Sequence, residues 1–130
     1  MSIATLRILV IASAYALTYL FAQLLGALYV SLFPHATGGN FIGAPGTIEW
    51  ILGLPITLIF LVTFLMHSVG GKNIWLWNIV ALCPAILFEI VFDATHIYFP
   101  VILGVIAWFL GTLVNNILKK SAPSLMRRIS

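Results

Sequence analysis

The stretch TIEWILGLPITLIFLVTFLMHSVGGK, residues 47–72, decides the fold class. From Ile51 to Met66 it carries no charged side chain, and Gly70 with Gly71 then breaks it. An α-helix rises 1.5 Å per residue, so about 20 such residues cross the roughly 30 Å hydrocarbon core of a bilayer. The stretch therefore predicts a spanning helix over 47–68. Three further runs of this kind flank it, over 8–33, ending at Pro34, over 74–98, and over 101–118 after Pro100. Strands are excluded because ten-residue alternating segments are missing, and an unpaired backbone group in lipid costs several kcal/mol.

Composition agrees with that reading. The 130 residues are 62% hydrophobic and 7% charged, whereas a soluble domain carries roughly a quarter charged residues. We expect an all-α integral membrane protein, a single four-transmembrane-helix bundle over 1–130, with a loop at 34–46 and a basic tail at 119–130. The first run is too long for a signal peptide, whose apolar region covers only about 7 to 15 residues. The 34–46 loop is rich in glycine and proline and reads as a connection or a lid.

The cations orient the bundle. Arg7 precedes the first run, Lys72 lies between the second and third, and Lys119, Lys120, Arg127 and Arg128 follow the fourth. With four spans all six fall on one side, the positive-inside pattern with both termini cytoplasmic. Trp50 at one end, and Trp75 with Trp77 at the other, suit interfacial aromatic belts. The net charge of +3 then reads as topology and lipid contact, with no basic patch for nucleic acid. Cys83 is the only cysteine, which excludes an internal disulfide and a multi-cysteine metal site.

Polar residues inside the apolar runs carry the functional signal. Glu89, Asp93 and His96 stand at i, i+4 and i+7, within about 60° of one another on a helix. Ala85 and Asn78 continue that face toward the cytoplasmic end. An acid at the membrane centre costs roughly 2.5 to 3.5 kcal/mol on the insertion scale, while each Leu, Ile, Phe or Val returns about 0.3 to 0.6. Glu89 is the deepest of the three and is therefore expected to face the bundle interior, as an ion or proton site with Asp93 and His96 as its outer access. An Asp93–His96 pair at i, i+3 is expected on the helix surface, where it also suits a helix end reaching water.

Other residues fill smaller roles. Glu49, Gly53, Thr63 and His67 share a face of the second run, with Thr47 expected as N-cap, Glu49 complementing the helix dipole, and His67 interfacial. Gly104, Gly111 and Asn115 form a packing face on the fourth run, and Ala22 with Gly26 a close-approach pair on the first. Tyr15, Tyr19 and Gln23 are expected as donors inside the bundle. Pro55 and Pro84 should bend their helices and free carbonyls near Ile51 and Val80.

Three readings follow. The first is a small proton- or cation-coupled transporter or channel, or its subunit, acting as a homo-oligomer or within a larger membrane complex. The second is a structural or accessory subunit whose carboxylates pair with cations of a partner. The third, a metal-dependent enzyme at the outer interface, would draw on Asp93 and His96, with Glu49 and His35 as outer-mouth contributors. Histidines at opposite membrane edges disfavour a haem, and no cofactor is predicted beyond a possible divalent metal.

Overall fold

The computed structural model describes residues 2–34 and 46–123. They form α1 (Ile3–Leu32), α2 (Thr47–Val69), α3 (Ile74–Phe92), a 3₁₀ turn over Ala94–His96, and α4 (Tyr98–Ser121). All four α-helices are long and apolar enough to cross a membrane. The chain runs up and down, so the starts of α1 and α3 share one end with the close of α2 and α4. Among the described residues Arg7, Lys72, Lys119 and Lys120 lie toward that end, here the basic end, while Glu49 and Asp93 lie at the opposite one.

Local signals account for the boundaries. Ser2 caps α1 by accepting the Thr5 amide at 3.1 Å, which satisfies one of the four free donors of a helix start. The turn between α2 and α3 needs three left-handed residues, Gly70 at φ 73°, Gly71 at φ 110° and Asn73 at φ 60°. Gly and Asn adopt that region most readily. Arg7 is buried against this turn, donating to the Lys72 carbonyl with its guanidinium 5.7 Å from the Trp77 ring centroid. Thr47 is not the N-cap of α2. Gly46 holds that position with φ 93°, and no side chain caps the helix.

Helix α2 is the centre of the arrangement. The other three helices pack on it, and it is the most deeply buried of the four. Its buried Leu58, Ile59, Val62 and Met66 meet Ala14 of α1 and Ala81, Leu82 and Ala85 of α3. Glycine sets the closest approach. A Cβ on Gly26 would stand 1.6 Å from the Glu49 carbonyl oxygen, and one on Gly53 would stand 1.7 Å from that of Ala22. The α1 and α2 backbones therefore touch at a crossing that admits no side chain.

Tyr15, Tyr19 and Gln23 lie on the exposed side of α1 and not inside the bundle. Tyr15 still reaches α3, where its hydroxyl donates to the Ala81 carbonyl at 2.9 Å. The acceptor stands next to Val80, whose carbonyl Pro84 leaves without a helical donor.

Candidate functional site

The expected stripe on the third helix divides in two. Helix α3, expected to run on to residue 98, ends at Phe92, and Asp93 leaves helical geometry at φ −147° and ψ 52°. The reason lies in the side chains. Asp93 finds partners outside the helix, and a short polar residue with such partners competes with the helical ladder. Its Oδ2 accepts from the Tyr29 hydroxyl of α1, and its Oδ1 lies 2.7 Å from His96 Nδ1. His96 sits in the 3₁₀ turn, and Pro100 follows within the first turn of α4, where its missing N–H has no helical acceptor to lose.

Tyr29 completes this cluster, and no spacing in the sequence singles it out. It is only 2% exposed, and a buried tyrosine places its hydroxyl on an acceptor. Phe33 packs on it at 5.1 Å and on His96 at 4.8 Å between ring centroids. The group fastens the end of α1 to the α3–α4 connection. Both Asp93 oxygens are engaged within the chain.

Glu89 is placed differently. It is 5% exposed, on the face of α3 that also buries Asn78, Leu82 and Ala85. Its carboxyl has no hydrogen-bond or ion-pair partner among the described residues. It lines a cavity of about 370 Å³ bounded by α2, α3 and α4. Ile59 and Thr63 of α2 form the floor, Leu82 and Ile86 one wall, and Val101 and Val105 the other. With α2 beneath, the cavity opens sideways between α3 and α4. Trp75 and Trp108 close its basic end with ring centroids 6.3 Å apart, and Ile97 and Pro100 bound the end near Glu89.

Asn78 lies toward the tryptophan end of the cavity, and its Nδ2 is 3.4 Å from Thr63 Oγ1. Eleven residues separate Asn78 from Glu89, about 16 Å along the helix. The cavity is thus an apolar groove with one carboxyl near the acidic end. His67, expected to be interfacial, lies in the last turn of α2 and is buried within the chain. Its Nδ1 lies 2.9 Å from the Thr63 carbonyl, and Trp75 packs edge-on at 4.7 Å.

The two glycines of α4 part company. A Cβ on Gly111 would meet the Phe64 carbonyl oxygen at 2.6 Å and His67 Cβ at 2.9 Å, so Gly111 sets the α2–α4 approach. Four residues on, Asn115 donates to the Ser68 carbonyl at 2.9 Å. A Cβ on Gly104 would meet only Ile59 Cγ2, at an ordinary 3.5 Å. Packing does not require a glycine there; its small size leaves the groove open.

No three metal-ligating side chains converge among the described residues. Asp93 and His96 come together with a tyrosine, Glu49 sits apart in the first turn of α2, and His35 lies outside the described residues. No nucleophile–base pair is formed by the groove residues either. What the groove can do chemically is exchange a proton or a cation at one carboxyl in apolar surroundings. Compared with protein-family models, curated proteins and solved structures, the chain matches none.

Proposed function

We propose that the chain is an integral membrane protein with both termini in the cytoplasm, and that it works as a small proton- or cation-coupled transporter or as a subunit of one. The four apolar helices and the gathering of cations at the basic end support that topology. The observation that carries the function is Glu89, a buried residue on the wall of a groove whose carboxyl has no partner among the described residues. Burying an ionised carboxylate unpaired costs several kcal/mol, so the site favours states in which a proton or a cation occupies it. Exchange of one for the other is the elementary step of coupled transport.

One copy does not enclose a path from end to end, because three helices pack on a central fourth and the groove opens to the side. That geometry supports the reading of a working unit of two or more copies, or of this chain with a partner subunit. Asp93 and His96 contribute by holding the groove's acidic end in shape.

The test is proton flux in proteoliposomes. Wild-type protein is expected to relax an imposed pH gradient when a monovalent cation is supplied on the opposite face. Glu89→Gln, nearly isosteric and unable to ionise, should slow that flux at least tenfold while eluting from size exclusion as wild type does. Equal rates in wild type, Glu89→Gln and empty liposomes overturn the proposal. They would leave Glu89 as an anchor for a cation on a partner chain, the accessory-subunit reading.

A further inference from the structure

We propose that the occupant of the α2–α3–α4 groove is a lipophilic ammonium, its nitrogen on the Glu89 carboxyl and its hydrocarbon body lying along α3 toward Trp75. This rests on reading Glu89 as the groove's cation-accepting group, and it names the class of cation. Four features of the groove select it.

Charge comes first. Glu89 brings a buried carboxyl with no partner among the described residues to the cavity wall, so a neutral occupant leaves its charge uncompensated and an anion is repelled. An ammonium offers three donors and a compensating charge. A hydrated inorganic ion is disfavoured by the rest of the lining. Beyond Glu89 the lining is apolar except for Thr63 and Asn78; Asn78 stands about 16 Å along α3 from Glu89, too far for its amide oxygen to join that carboxyl in replacing a water shell.

Dimensions come second. A cavity of about 370 Å³ lies in the range of small-molecule sites, and the roughly 16 Å from Glu89 to Asn78 accommodates a single chain. A whole helix, 10 to 12 Å across with its side chains, is too wide. Access comes third, because the opening faces sideways between α3 and α4 and admits an occupant dissolved in the apolar phase. Gly104 is the fourth, holding open the middle of the groove where a larger side chain would fill it.

Such an ammonium has two sources, a free lipophilic amine or the ethanolamine headgroup of a phospholipid whose acyl chain enters the groove. Glu89 lies three residues before the end of α3, about 4 to 5 Å from it, a depth either source can reach.

The experiment uses the full chain in phosphatidylcholine nanodiscs with three probes, dodecylammonium, dodecanol and butylammonium, read against empty discs. Dodecylammonium is expected to bind at least tenfold more tightly than either control, with Glu89→Gln and Gly104→Leu each weakening it at least tenfold. Gly104→Leu leaves the carboxyl untouched, so its effect reports the groove itself. Unchanged elution and melting of both variants establish that they fold. Native mass spectrometry after incorporation into mixed phosphatidylethanolamine and phosphatidylglycerol vesicles separates the sources. Retained ethanolamine lipid displaced by dodecylammonium assigns the headgroup, and binding of the amine with no retained lipid assigns the free amine; either supports the inference.

Dodecanol binding as tightly as dodecylammonium, or Glu89→Gln binding it as wild type does, overturns the inference. So does a disulfide formed between two copies through Gly104→Cys, which would show the groove filled by a second chain. Glu89-dependent proton flux without selective amine binding removes this proposal and keeps the transport reading. Selective amine binding without flux does the reverse.

Discussion

Gly53→Ala is expected to separate α1 from α2 and lower stability by about 3 kcal/mol, the upper part of the usual range for overpacking. The added methyl would stand 1.7 Å from the Ala22 carbonyl oxygen, a backbone atom that no rotamer change can move. Gly26→Ala drives the same crossing apart from the other side, against the Glu49 carbonyl. Relief requires one helix to slide or tilt, and α2 carries the packing of the other three. The readout is at hand, because Trp50 stacks edge-on to Tyr19 at 5.1 Å and donates its indole N–H to the Tyr19 carbonyl at 3.3 Å. A lowered thermal midpoint in detergent should accompany a changed Trp50 emission. Gly104→Ala, with its Cβ in ordinary contact, serves as control and should melt as wild type. An unchanged midpoint for Gly53→Ala would show that the two backbones do not meet here.

Asp93→Ala is the second large effect, on the order of 3 kcal/mol, the scale for losing hydrogen bonds to a charged acceptor. The Tyr29 hydroxyl would be left without its acceptor in a site where the residue is only 2% exposed, and His96 would lose its 2.7 Å partner. Asp93→Asn keeps an oxygen for one donor and gives up the charge, so it should cost less, about 1 kcal/mol. Tyr29→Phe removes one bond and leaves the Asp93–His96 pair in place. The cycle of Tyr29→Phe with Asp93→Ala should therefore show coupling of roughly 1 to 3 kcal/mol. Additive single effects in chemical or thermal unfolding would mean that the hydroxyl and the carboxylate do not act on each other.

Much of the helix plan was legible in the residues. Apolar length alone located α2 and α4 to within three residues at each end, while α1 begins at Ile3, five residues before the expected start, and Gly70 with Gly71 marked the break before α3. Gly26, Gly111 and Asn115 also announced close approach, because small residues are where backbones meet. The central position of α2 was not legible. All four segments are apolar over most of their circumference, so hydrophobic periodicity does not distinguish a face that meets protein from one that meets lipid. The stripe was half legible. The cost of burying Glu89 turned it inward correctly, yet the i, i+4, i+7 spacing continued through Asp93 with no sign that the helix had stopped. That stop depends on Tyr29, 64 residues earlier in the chain, and on Pro100 in the following turn. A tertiary partner overrode a local period.

One feature of α3 bears on how anything enters the groove. The helix is pinned at its start by the Trp75–Trp108 contact and at its close by the Asp93 cluster. Pro84 stands near its midpoint, where the backbone ladder already lacks a rung. A rod held at both tips and notched in the middle yields by bowing at the notch. Tyr15 ties α1 to the Ala81 carbonyl beside that notch, so one phenol hydroxyl braces α3 where its ladder is weakest. That brace lies on the opposite flank of α3 from the groove, at a group that does not line it.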